Sequence, residues 1–283
     1  MLRRLANNWS YRTASLRQSN LSLRSRCSYS TEACTSSSPV YVVFGAYGGI
    51  GSELCARLAQ QPGAVVVLAG RDSAKLEALR GRIGCEGPNL VADVKDSKQV
   101  EEVIGYTANK YGKIDGVANC VGSIILKSAH ATTDAEFDQT VQLNLNSCFY
   151  ILRAAVKKMM GTGGGSIVFC SSAVARHGIP NHEAIAAAKA GVVGLMLSAA
   201  ATYAPKNIRI NCVAPGLTRT PLAARITANA SALKSSEAMH PLKRVGEADE
   251  VAAALEFLLN PRNTFITGQV LGVDGGLGSL KSQ

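Results

Sequence analysis

Short runs of uninterrupted apolar residues alternate along the chain with longer stretches in which apolar positions recur at helical spacing. "VYVVFG" (40–45), "AVVVLAG" (64–70), "NLVAD", "IDGVANC", "GSIVFCS", "IRINCVAP" and "QVLGVDGG" predict strands, each bounded by glycine or polar residues. Continuous Val/Ile/Leu runs suit strands covered on both faces rather than on one. The intervening segments, such as 50–60 and "AKLEALRGRI", carry the amphipathic repeat of helices. Strand and helix in strict alternation predict an α/β fold, a single doubly wound parallel sheet with helices on both faces. It should span residues 39–283, with no internal repeat and no second domain. Residues 216–240, rich in Thr, Ala and Ser, predict a mobile helical flap before the last helix.

Composition changes this picture mainly at the N-terminus. Apolar residues make up 47% and charged residues 18%, which fits a packed core rather than disorder. No run approaches the roughly 18 consecutive apolar residues of a membrane span, so no membrane partner is expected. The net charge of +10 divides evenly, because residues 1–38 hold six Arg, no Lys and one acid (Glu32). In that segment Leu2, Leu5 and Trp9 share a helical face, with Arg3, Arg4 and Arg12 elsewhere. The pattern predicts an organelle transit peptide directing the protein to the mitochondrial matrix, with the chloroplast stroma as the alternative. "SSSP" (36–39) then marks the boundary of the folded domain. Beyond it the basic residues are scattered, with no Lys/Arg stripe interleaved with aromatics, so no nucleic-acid partner is expected. Six cysteines remain without C-x-x-C pairs or histidines at ligand spacing, which predicts small core residues and no metal.

The first candidate chemistry lies in "GAYGGIG" (45–51), between the first strand and the first helix. Gly45 allows a tight turn, Gly49 allows backbone amides to approach a pyrophosphate, and Gly51 permits close packing of helix on strand. The second strand ends in Ala69 and Gly70, followed by Arg71, where a dinucleotide fold selective for NAD would place a ribose-binding acid. A guanidinium there can pair with a 2′-phosphate, which favours NADP(H) over NAD(H). The alternative has Asp72 on the ribose.

With these features in order, residues 40–283 resemble the short-chain dehydrogenase/reductase family, whose sheet is Rossmann-like. The glycine motif matches at Gly45, Gly49 and Gly51, with Ile50 between the last two. Asp93, followed by Val94, matches the acid that contacts adenine. The family's N-N-A-G segment persists in part as "ANCVG", keeping Asn119 and Gly122. Asn144, Ser172 and Lys189 match the helix asparagine, the catalytic serine and the cofactor lysine. Pro215–Gly216, with Thr218 and Thr220, match the segment that touches nicotinamide. The resemblance implies that Ser172 orients the substrate oxygen, Asn144 orders a water and Lys189 holds the ribose.

One match fails. The family's proton-donating tyrosine lies four residues before the lysine, on the same helical face. Here that position is Ile185, and counting 13 residues on from Ser172 reaches Ile185 again. His182, seven residues before Lys189, stands where the family's enoyl-thioester reductases carry their tyrosine, and it is the speculative replacement acid. Glu183 and His177 are weaker candidates, and bound ligand with water is a third source of the proton. These readings leave two expectations open. One is an NADP(H)-dependent oxidoreductase acting on a small-molecule carbonyl or enoyl substrate, an acyl thioester among the candidates. The other is a catalytically silent NADP-binding subunit, with an assembly or regulatory role. The resemblance also implies a homodimer or homotetramer built on the helices around 134–160 and 182–203. Leu222, Ile226, Leu233 and Met239 in the flap suggest an apolar ligand or lid packing.

Overall fold

The computed structural model describes residues 38–280. The expected leader, residues 1–38, therefore lies outside the described residues except for Ser38. Seven parallel strands form the central sheet: β1 (Val40–Phe44), β2 (Val65–Gly70), β3 (Asn89–Val91), β4 (Gly116–Asn119), β5 (Gly165–Cys170), β6 (Ile208–Pro215) and, last in the chain, β9 (Val270–Val273). Their order across the sheet is β3-β2-β1-β4-β5-β6-β9. The direction of winding reverses between β1 and β4, and such a switch point opens a crevice beyond the C-terminal strand ends. Every strand expected from the apolar runs is present.

The pleat sends alternate residues of each strand into two separate cores. On one face, Val42, Phe44 and Phe169 pack against α3 (Ser97–Tyr111), α5 (Ser147–Met159) and α6 (Glu183–Tyr203). On the other, Tyr41, Val43 and Val168 pack against α1 (Gly49–Ala59), α2 (Ser73–Ile83) and α9 (Ala248–Leu259). Helix α6 is long and apolar enough, by length and composition, to cross a membrane. Here it carries Val192 and Met196 into the first core, both fully buried. Its apolar character serves the sheet.

Two departures from the expected pattern shape the site. The helical region around 134–160 is interrupted: α4 (Asp134–Val141) ends in a π turn, Gln142–Asn146, before α5 begins. Such wide turns are uncommon and re-aim the residue they carry, here Asn144. The region after β6 is helical as expected, with α7 (Ala224–Thr227) and α8 (Ala230–Met239). It is pinned at its base by a small second ladder that the apolar pattern does not show, β7 (Thr218–Arg219) paired with β8 (Gly246–Glu247).

Candidate active site

The chain leaves β1 through Gly45 at φ +77°, in the left-handed region where glycine carries no steric cost. A Cβ on Gly51 would stand 2.1 Å from the Gly45 carbonyl oxygen, so α1 packs directly onto the turn. Gly49 faces the segment after β6: a Cβ there would lie 2.6 Å from Thr220 Cγ2. Helix α1 begins without a side-chain cap and without an acid in its first turn. Its first amides have no capping side chain and carry the positive end of the helix dipole.

This turn borders a cavity of ≈ 200 Å³, also lined by Arg71, Asp93, Val94, Gly122 and Thr220. Gly45, Gly49 and Ile50 of the motif line it as well. Among the described residues Arg71 has no ion-pair or hydrogen-bond partner, and it is exposed at the cavity wall. Asp72 is engaged elsewhere, capping α2 by accepting from the Lys75 amide at 3.1 Å and lying 3.5 Å from Lys75 Nζ. The amide bond holds the Asp72 carboxyl below its ordinary pKa. A side chain at Gly70 would meet the Tyr47 ring at 2.6 Å, so this ring takes the space an acid at the end of β2 would need. Asp93 accepts from the Lys95 amide at 3.0 Å, and its own N–H donates to Gln99.

The remaining expected cofactor residues sit behind or beside this cavity. Asn119 is buried: its amide donates to Ser147 and to the Cys148 thiol and accepts from the Val121 N–H, bracing the end of β4. Its place is therefore structural, in the wall rather than on the surface of the cavity. Thr218 is likewise buried, its hydroxyl donating to the Gly216 carbonyl at 3.1 Å. Pro215 and Gly216 line a second cavity. Lys189, 7% exposed, donates through Nζ to the Cys170 carbonyl at 2.7 Å, and a Cβ on Gly122 would lie 3.4 Å from that nitrogen.

Asn144 stands beside Lys189, both within 3.4 Å of where a Cβ on Gly122 would lie. It is fully buried, and its Nδ2 donates to Ser123 Oγ and to the Thr140 carbonyl, both at 2.9 Å, while Oδ1 accepts from the Ser123 N–H at 3.1 Å. Both amide protons are engaged within the protein, so a water would be held through the second lone pair of Oδ1. The π turn aims the side chain at the Ser123 loop, and the residue acts as a brace beside Lys189.

The second cavity, ≈ 460 Å³, lies under the flap and brings together Ser172, His182 and Ile185. Ser172 Oγ accepts from the Val174 N–H at 3.3 Å, which leaves its hydroxyl hydrogen available to a ligand. Ile185 is only 5% exposed and presents hydrocarbon to the cavity. His182 Nδ1 lies 2.7 Å from the Pro180 carbonyl, an acceptor, so Nδ1 carries a proton and Nε2 stays clear of protein partners. His177 and Glu183 do not line the cavity. Of the flap residues, Ile226 and Met239 line it, Leu222 lines the first cavity and Leu233 lines neither.

Three features have no periodic signal in the sequence. His240 is buried, accepts from the Leu217 N–H at 3.2 Å and bonds the Ser236 carbonyl through Nδ1 at 2.6 Å, tying the flap to the Pro215–Gly216 segment. Tyr47 could have been noticed inside the glycine motif, but its stacking over Gly70 could not. Cys120 and Cys170 lie at the ends of neighbouring strands, and the adjacent Cys120 thiol holds Cys170 below the ordinary thiol pKa, whereas burial pushes Cys55, Cys148 and Cys212 up.

Comparison with known proteins agrees with this geometry. The family described as "Enoyl-(Acyl carrier protein) reductase" matches residues 45–278. The chain is 34% identical over 242 residues to the 3-oxoacyl-[acyl-carrier-protein] reductase FabG of Thermotoga maritima, covering 84% of this chain and 97% of that one. It is also 34% identical over 249 residues to levodione reductase of Leifsonia aquatica, covering 84% and 93% respectively. The crystal structure of levodione reductase superposes with a TM-score of 0.81, covering 86% of this chain and 98% of that one. A structure of ElxO with NADP bound matches with the same TM-score at 29% identity, covering 86% and 100%. The chain belongs to the short-chain dehydrogenase/reductase family.

Proposed function

We propose that the protein is an NADP(H)-dependent oxidoreductase of the mitochondrial matrix acting on a carbonyl or enoyl substrate, of which an acyl thioester is one form. The observation that carries this reading is the position of Lys189. Its ammonium is fixed between Gly122, on the wall of the first cavity, and the Cys170 carbonyl, two residues before Ser172 in the second. One cation thus stands where a nucleotide sugar and a substrate oxygen would meet. The unpartnered start of α1 suits a pyrophosphate. A bound nicotinamide would supply or accept the hydride. Ser172 would donate its free hydroxyl to the substrate oxygen, stabilising the charge that develops there. His182 lines the same cavity and is the candidate proton source, with water as the other. The names of the relatives point the same way, since 3-oxoacyl and levodione reductases act on carbonyl compounds.

The choice of NADP(H) rests on Arg71. It is unpartnered at the cavity wall, Asp72 is held in a helix cap, and Tyr47 covers the position of a ribose-binding acid. A charge-assisted bond to a 2′-phosphate contributes about 1.5–3 kcal/mol. Arg71→Ala should therefore weaken NADPH binding by about 10-fold to 100-fold and leave NADH unchanged, as read by fluorescence titration. A homodimer or homotetramer is proposed on the α4–α5 and α6 surfaces, where Phe149 and Leu197 are exposed apolar side chains.

A second reading, a silent NADP-binding subunit, is favoured by Ile185, which cannot donate a proton. Steady-state assays with 3-oxoacyl and enoyl thioesters separate the two. The oxidoreductase should consume NADPH with one of them, and His182→Ala should slow it. Turnover that is unchanged in the variant would remove the histidine while leaving the reductase. Cofactor binding with no turnover on either class would favour the silent subunit.

A further inference from the structure

The cavity beneath the flap combines an apolar wall with a single formal charge. Ile124, Leu126 and Met239 line it, and each is exposed in this structure, so together they present hydrocarbon that a ligand would cover. No Asp or Glu is among its lining residues. The residues that can carry charge are Arg225, His182 and His240. His240 is held by two hydrogen bonds, one of which requires an unprotonated Nε2 to accept from the Leu217 N–H.

Arg225 differs from its neighbours in sequence. Arg219 pairs with Glu247 at 3.2 Å, and Arg244 with Glu250 at 2.6 Å. Arg225, on the short helix α7 between them, has no ion-pair or hydrogen-bond partner among the described residues. Arg219 and Arg244 are thus neutralised by acids of the segment after the flap, Glu247 and Glu250, whereas Arg225 is left facing the cavity. A guanidinium in that position matches a carboxylate or a phosphate, which it can bind through two parallel hydrogen bonds.

We infer that the site takes an amphiphilic anion, an apolar chain carrying a carboxylate or phosphate group, and that Arg225 selects it. This rests on the oxidoreductase reading for its chemistry, but the selection itself concerns binding alone. A neutral ligand of the same chain length would fill the apolar wall and leave the guanidinium without its partner. The two sources of the anion, a free acid and a phosphate-bearing carrier, present different head groups and can be told apart.

The test is calorimetric titration of the full chain, with and without NADP, using decanoate, decyl phosphate and decanol. One or both anions should bind at least about 10-fold more tightly than decanol, as expected for a charge-assisted pair. Arg225→Gln should bring the anions to within about twofold of decanol, while Arg225→Lys, which keeps the charge but not the two-pronged geometry, should keep only part of the preference. The stronger of the two anions identifies the head group. Because Arg225 is exposed, both variants should melt close to the parent. Equal binding of all three ligands by the parent chain, or an undiminished preference in Arg225→Gln, overturns the inference. A clear preference here, together with no turnover in the thioester assays, would count against the oxidoreductase reading and leave this inference standing.

Discussion

Ile185→Tyr is expected to raise NADPH-dependent turnover of carbonyl substrates by about 10²-fold or more, the usual contribution of a positioned general acid. Ile185 and Lys189 lie one helical turn apart on α6, so their side chains share a face. The isoleucine already borders the ≈ 460 Å³ cavity that contains Ser172, which leaves room for a ring to project toward the substrate rather than into the core. A phenol there would approach Lys189, whose positive charge favours the ionised form and makes the proton easier to release. The gain should appear in kcat, with NADPH affinity unchanged. If kcat stays flat while the variant remains folded and binds cofactor, proton supply is not what limits this site. A protein silent only through loss of the phenol would gain activity from nothing.

Lys189→Ala should have the opposite sign and a comparable size. The ammonium is nearly buried, and its bond to the Cys170 carbonyl holds the end of β5 beside Gly122. Its removal deletes the cation proposed to hold the nucleotide ribose and leaves that carbonyl without a donor, a loss of about 1–3 kcal/mol in a buried setting. NADPH should bind more than about 10-fold more weakly, since a hydrogen bond to a charged group contributes about 1.5–3 kcal/mol, and turnover should fall to background. Lys189→Met, which keeps the aliphatic stem, separates the parts: it should recover the melting temperature lost with the stem's packing, but not the share lost with the carbonyl's donor and not affinity. Full cofactor affinity in both variants would remove Lys189 from the binding site.

The sheet was legible because strands such as "VYVVFG" and "AVVVLAG" are apolar on both faces, a pattern they display without help from tertiary structure. The glycine turn was legible for a related reason, since Gly45 and Gly51 answer to local backbone geometry. What escaped depends on contacts between distant segments. Gly49 makes room for Thr220, and His240 holds Leu217, yet neither pairing leaves a periodic trace. Asn144 could be matched to a family position, but the engagement of its amide protons by Ser123 and Thr140 follows from a π turn inside a run that looks uniformly helical. The unpaired state of Arg225 emerges only by comparison with Arg219 and Arg244, whose acidic partners the fold supplies.

The central claim is that a pyridine dinucleotide docks at the glycine turn with Lys189 gripping its sugar. Fluorescence titration of the full chain with NADPH, beside Gly51→Val, tests it most directly. The account predicts saturable binding with one cofactor per chain and its loss in the variant, because a Cβ at that position would stand 2.1 Å from the Gly45 carbonyl oxygen. An absence of saturable binding by the parent chain, or equal binding by a folded Gly51→Val variant, would contradict it.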